Sequence, residues 1–417
     1  VTALPTPPPP SPDGDHAESV AWVAEHLGDL AREEPSDIAA GAFTGGQTAA
    51  DIAFGALDIT GYAARRNEVL PVARRGASRM SPYIRHGLTP LPEVWDAVSD
   101  APGRDRTKYR DELLWQEYAR HLYSRVRTDL GQALRYEQPR RDLPAGDRPF
   151  GGDPWPREMK CMELVVDELH ENGWLVNQTR MWAASQWTVR VGATWPDGED
   201  EMFAHLVDGS RAANRLGWQW TVGTGSGKPY GFSRWQVKKR SPKLCGECSL
   251  NSNCPIQDWP SDDHGAPVDG PYLGPEDIPS GPDSAENTGE ADAVWLTAES
   301  LGDADPALAV DESRPAVFVF DEPLLRRLRL SGKRLVFLAE CLGDLAQRRE
   351  VEVRRGVVAD ELDGRSLAST WAPVPGYKRI AGQVRPAEVH PWPWLVHPKR
   401  APVRSFTAWR KAVGNPR

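Results

Sequence analysis

Three of the chain's five cysteines, Cys245, Cys248 and Cys254, fall within ten residues, and Pro255 follows the last. Thiolates at Cys-x2-Cys-x5-Cys spacing make a compact cluster of soft ligands, and Cys161, in the run Met159-Lys160-Cys161, offers a fourth from a distant helix. Four thiolates suit a [4Fe–4S] cluster or a structural zinc ion; free thiols are the third reading. Cys341 sits in an apolar helical stretch and reads as core. Aromatic rings are the second reactive feature. Seventeen tryptophans are many for this length; most belong in a core or interface, but rings in contact also relay single electrons. Basic residues gather at Arg234, Lys238, Lys239, Arg240 and Lys243, and again at Arg140, Arg141 and Arg148. Each run reads as a local groove for nucleic acid or as a solvated face.

These groups need a scaffold, and 417 residues suffice for two or three domains. The composition, 40% hydrophobic and 26% charged, is that of an ordinary globular protein. A net charge of −9 argues against coating nucleic acid through bulk charge. No apolar run is long enough for a membrane helix, no signal peptide precedes the fold, and the expected location is the cytoplasm. Residues 1–16 are Pro-rich and read as a disordered lead. Helical spacing recurs in residues 17–30, 48–62, 91–98, 110–123 and 159–172. Residues 17–255 therefore read as one mostly helical domain. Residues 256–291, rich in Pro, Gly, Asp, Glu and Ser, read as an acidic flexible linker. From residue 292 strands alternate with helices: 293–296, then the buried-strand run 316–320, an amphipathic helix over 333–347, and a strand at 351–354. That alternation predicts a smaller parallel α/β domain over 292–417. No Gly-rich phosphate loop follows its first strand. The tail, 388–410, carries Trp, Pro and basic residues without a legible period.

Five segments of the helical half resemble, in order, the flavin domain of the photolyase/cryptochrome family. They are Gly61-Tyr62-Ala63-Ala64-Arg65-Arg66-Asn67, Ser78-Arg79-Met80-Ser81-Pro82-Tyr83, Glu112-Leu113-Leu114-Trp115-Gln116-Glu117-Tyr118, Gly173 to Met181, and Asp208-Gly209-Ser210-Arg211-Ala212-Ala213-Asn214 followed by Gly217-Trp218-Gln219-Trp220. The α/β half resembles the beginning of that family, its Rossmann-like antenna-type domain. That domain precedes the flavin domain in most members and follows it here, which reads as a circular permutation. The cysteines resemble those of the family's bacterial iron–sulfur subgroup, with a shorter spacing from Cys248 to Cys254.

The resemblance implies FAD as cofactor and damaged DNA as partner, in a monomer without a membrane contact; protein partners and an antenna chromophore stay unassigned. Tyr62, Ser78 and Ser81 would hold the FAD phosphates, with Arg66, Met80 and Ser210 in the same cofactor-binding set. Arg180 would pair with Asp208 beneath the isoalloxazine, and Asn214 would face its N5. Glu112, Trp115, Asn177 and Met181 match positions that contact a cyclobutane pyrimidine dimer, flipped out of the duplex so that it can be reached. Trp115 would wall the lesion, and Glu112 would hydrogen-bond its bases. Trp218 and Trp195 match two members of the family's electron-relaying Trp chain, with Trp155 and Trp187 as candidates for the third. Taken alone, Trp115 beside Tyr118 and Leu122 at helical spacing reads as core, and Arg180–Asp208 as a structural ion pair. Gln116 and Gln178 stand where the family has Arg, Val176 replaces a usual His, and Ser210 a frequent Asp. The activity implied is light-driven splitting of pyrimidine dimers by electron transfer from reduced FAD, a carbon–carbon lyase reaction. The alternative is a cryptochrome-like blue-light receptor or redox flavoprotein without repair.

Overall fold

A computed structural model of the chain describes residues 2–138, 153–260, 264–414 and 416. The basic run Arg140, Arg141 and Arg148 lies outside them. The architecture is multidomain, a helical half joined to a mixed but mainly parallel α/β half.

Eight helices carry the argument. In chain order they are α1 (Ala17–Leu27), α2 (Gly103–Val126), α3 (Lys160–Asn172) and α4 (Asn177–Ser185). Then come α5 (Trp195–His205), α6 (Arg211–Val222), α7 (Gly332–Leu345) and α8 (Phe406–Val413). Their ends follow local chemistry. Ser210 caps α6, its hydroxyl accepting from the Ala213 N–H. Gly173 and Gly223 stop α3 and α6 at φ of 64° and 84°, the left-handed conformation that glycine adopts at little cost.

Seven strands form one sheet: β1 (Thr2–Leu4), β2 (Glu286–Asn287), β3 (Ala293–Leu296), β4 (Ala316–Asp321), β5 (Val351–Gly356), β6 (Leu367–Thr370) and β7 (Glu388–His390). Their order is β1-β5-β4-β3-β6-β7-β2. The inner five run parallel, and the two edges pair antiparallel. Residues 316–320 are buried throughout, as an apolar strand covered on both faces must be.

The structure corrects three expectations about the connecting segments. Residues 2–16 of the expected disordered lead are ordered instead. Thr2, Ala3 and Leu4 pair with Arg355, Arg354 and Val353, and the Trp22 indole donates to the Pro5 carbonyl at 3.2 Å. An open sheet edge satisfies its backbone by taking up a strand. Helix α1 packs on the same sheet: Trp22 meets Phe320 at 6.2 Å, and Asp29, just beyond the helix, bonds Arg355 at 3.0 Å. It therefore belongs to the α/β half rather than to a helical unit beginning at residue 17. Segment 256–291 is packed as well. Leu273 and Ile278 are buried, and Arg125 donates to the carbonyls of Gly274 and Tyr272, each at 2.7 Å.

The tail is ordered against α2. The Tyr118 hydroxyl donates to the Val403 carbonyl at 2.8 Å, and the indole of the fully buried Trp409 donates to His121 Nδ1 at 2.9 Å. Glu117, also on α2 and fully buried, accepts from the Val396 N–H at 2.9 Å, and Arg120 stands 3.7 Å away. Burial raises its carboxyl from 4.5 to about 7, against the pull of Arg120 and the backbone donors. A carboxyl raised by folding favours the native state below its ordinary pKa, and this contribution is lost as pH rises through about 7. The stability of the wild-type protein therefore falls between pH 4.5 and about 7 by an increment that Glu117→Gln lacks. Denaturant unfolding of both proteins across that window checks it; parallel curves would remove Glu117 as the cause.

Candidate functional site

Helical periodicity gathers the chemistry. On α2, Glu112, Trp115 and Gln116 share one face; on α4, Asn177, Arg180 and Met181; on α6, Asn214, Gly217, Trp218 and Thr221. The three faces, together with the segments 77–85 and 208–210, line one cavity of about 260 Å³. Tyr62, Arg66, Ser78, Ser81, Asp208 and Ser210 complete the group of expected residues found in its wall.

Its electrostatics are set by a few pairs. Arg180 Nη2 donates to Asp208 Oδ2 at 2.7 Å, while Asp208 Oδ1 is buried with no hydrogen-bond partner among the described residues. A buried carboxylate oxygen left unpaired is costly, so this atom marks a place where a ligand donor fits. Glu112 lies 3.1 Å from Arg66 and 3.0 Å from Lys108. The Ser78 hydroxyl accepts from Tyr109 at 3.2 Å, and the Ser81 hydroxyl accepts from the Trp174 indole at 3.0 Å. Each serine oxygen already accepts a bond, and its O–H is left to donate, the direction an anionic phosphate requires. Burial raises the phenols of Tyr62 and Tyr109, that of Tyr109 to about 12, so both stay neutral. These features fit a dinucleotide flavin.

Several residues sit differently from expectation. Met80 is buried in the core and is not among the lining residues. The Asn214 amide donates to Glu199 Oε1 at 2.7 Å. Glu199 is buried, its carboxyl raised by burial against the pull of Arg211 and Arg215, and it had no distinguishing mark in the sequence. Gln178 is buried against the Tyr230 hydroxyl at 3.3 Å, whereas Gln116 does line the cavity.

Trp218 lines the cavity, and its ring meets Trp187 at 6.4 Å; Trp187 meets Trp155 at 4.8 Å. Gly198 makes this packing possible: a Cβ there would lie 2.4 Å from the Trp218 ring and 2.7 Å from that of Trp187. Trp195 is buried at the start of α5 with its backbone N–H bonded to Gln138, and it is not among the lining residues. Trp115 meets Phe406 of α8 at 4.9 Å, so the tail buttresses the cavity wall.

The four cysteines line a separate small cavity with Met159, Leu244 and Ile256. Burial raises the Cys161 thiol, and the neighbouring thiols of Cys245, Cys254 and Cys248 raise it further. Of the basic run, Arg240 pairs with Glu68 at 2.8 Å and Arg234 donates to the Asn251 carbonyl at 2.8 Å, both structural bonds. Lys239 lies over the exposed ring of Trp235 at 4.8 Å.

Residues 164–242 match the profile of the FAD binding domain of DNA photolyase. A deoxyribodipyrimidine photo-lyase of Synechococcus is 30% identical over 168 residues, 37% of this chain and 34% of that one. The corresponding protein of Thermus thermophilus is 33% identical over 159 residues, 36% of each chain. The matches thus span about a third of these relatives' length. Among solved structures, a class III photolyase from Agrobacterium tumefaciens is similar over 58% of this chain and 48% of that one, with TM-score 0.42 and 23% identity. A Synechocystis cryptochrome is similar over 49% and 45%, with TM-score 0.43 and 19% identity. Residues 164–242, within the helical half, are thus similar to an FAD-binding domain of DNA photolyase.

Proposed function

We propose that the chain is a light-driven DNA repair flavoprotein that splits cyclobutane pyrimidine dimers. The observation that carries this reading is the shared cavity: Glu112, Trp115, Asn177 and Met181 face the same space as Arg180, Asp208 and Asn214. Bound and reduced, FAD would supply single-electron chemistry under blue light. The protein's part is position and charge. Ser78 and Ser81 would donate to its phosphates, and Arg180, by fixing Asp208, would keep the second Asp208 oxygen open to a ligand donor. Trp115, braced by Phe406, offers an apolar wall to an extruded dimer. Arg66 and Lys108 hold Glu112 in place in the wall that also carries the exposed Asn177 and the half-buried Met181.

The Trp218–Trp187–Trp155 contacts support a relay that keeps the flavin reduced. The four thiols that line one small cavity support a [4Fe–4S] cluster there, with a structural zinc ion as the alternative. The chain order, with β3–β7 after the flavin domain, supports a permuted arrangement of the family's two halves. Gln116 in the cavity wall, where an Arg is usual, favours the second reading of a blue-light receptor without repair.

A thymine-dimer oligonucleotide incubated with the reduced protein is restored in blue light and not in darkness. Glu112→Gln keeps FAD and lowers the repair rate on the order of tenfold to a hundredfold, the loss of one charge-assisted hydrogen bond. No restoration by a protein shown to hold reduced FAD transfers the assignment to the receptor. Blue-light photoreduction slows in Trp187→Phe and not in Trp195→Phe; the reverse pattern would reject the relay drawn here.

A further inference from the structure

We propose that His170, Glu201 and His205 form a binding site for a divalent transition-metal ion of the zinc class, outside both the flavin cavity and the cysteine cluster. One donor atom from each residue lies within 4.8 Å of the other two. Two are on α5 at i and i+4, so they share a face, and the third is on α3. His205 Nε2 stands 3.5 Å from Glu201 Oε1. Ligand bonds near 2.1 Å put neighbouring donors of a tetrahedral ion about 3.4 Å apart, so this pair is already at coordinating separation.

The surroundings hold the donors in place. Arg32 donates to the other oxygen, Glu201 Oε2, at 2.6 Å, which turns Oε1 toward the histidine. The rings of His170 and His205 face each other with centroids 4.4 Å apart. His205 is buried, and its Nδ1 has no hydrogen-bond partner among the described residues. His170 is exposed, so its ring is free to turn toward an incoming ion. Both histidines occupy the last turns of their helices, where the helix dipole favours a cation. The nearby Lys333 is offset by Glu33, whose carboxylate lies 3.8 Å away.

Two imidazoles and a carboxylate are borderline ligands suited to zinc and its neighbours, and they leave a fourth position for water or a small anion. The site is distinct from the cysteines: Cys161 and His170 are nine residues apart on α3, about 13 Å along its axis. An ion here would tie α3 to α5 directly beside the entry to α7, where the Ser331 N–H donates to the Ala204 carbonyl at 2.9 Å.

Cobalt(II) is a usable probe because thiolate ligation adds a near-ultraviolet charge-transfer band that nitrogen and oxygen ligands lack. Titration of the full-length protein is expected to give one equivalent of Co2+ with ligand-field absorption and no thiolate band. His170→Ala and Glu201→Gln each weaken this binding at least about tenfold, the loss that even an outer-shell partner can produce. Excess Zn2+ displaces the cobalt and raises the unfolding temperature of the wild-type protein but not of His170→Ala. The exposed position of His170 keeps that variant folded. Equal Co2+ binding by wild type and both variants, or binding seen only through the thiolate band, would overturn the site.

Discussion

Helix α7 is buried along its whole length, yet it carries Lys333, Arg334, Glu340 and Asp344. Charges removed from water must be met by charges or dipoles, and several of the partners come from outside the α/β half. Glu340 accepts from the Gly45 N–H at 2.7 Å, Asp344 from the Thr48 hydroxyl at 2.6 Å and the Gln47 N–H at 2.8 Å. Arg334 donates to the carbonyls of Phe203 and Gly209 at 2.6 and 3.0 Å, and its burial lowers its pKa to about 9. The close approach needs glycine: a Cβ on Gly45 would lie 2.2 Å from the Phe337 carbonyl. The two halves are therefore joined by directional bonds that admit one arrangement, rather than by apolar contact alone.

The cavity lined by α2, α4 and α6 depends on that joint. Gly209, between Asp208 and Ser210 in the cavity wall, has its carbonyl held by Arg334 at 3.0 Å and by Arg85 at 3.0 Å. Arg85 in turn pairs with Glu299 of the α/β half at 2.8 Å. The turn that presents the unpaired Asp208 oxygen is thus clamped from the far side of the domain boundary. Phe406 performs a similar service for Trp115 from the tail.

What the sequence disclosed was local. The runs around Ser78–Ser81, Gly173–Met181 and Asp208–Asn214 each contain their own turn or helix signals, and the cavity collects them as helical spacing requires. Strands β3, β4 and β5 were legible in the sequence as strands, and α1, α2 and α3 as periodic runs. What was hidden depends on partners remote in sequence. Nothing in Thr2–Leu4 announces pairing with residues 353–355. Glu199 gains its role only when α6 brings Arg211, Asn214 and Arg215 to it. Trp187 reaches the Trp218 ring because a glycine at 198 leaves space between the two, a fact of packing rather than of motif. Segment 256–291 has the composition of a free linker, yet carbonyl groups in it satisfy the buried Arg125.

The pairing of β1 with β5 also sets an order of events during synthesis. Its two strands are separated by almost the entire chain, so the first strand leaves the ribosome long before its partner exists. At ~5–20 residues per second the wait is roughly 20–70 seconds. During it the segment has no ladder to join, and an unpaired strand is open to pairing with another chain. The six prolines between Pro5 and Pro12 lack the N–H groups that would extend such pairing beyond Leu4. The same residues that made this stretch look unstructured thus keep the segment open to pairing short until the sheet that it completes has been made.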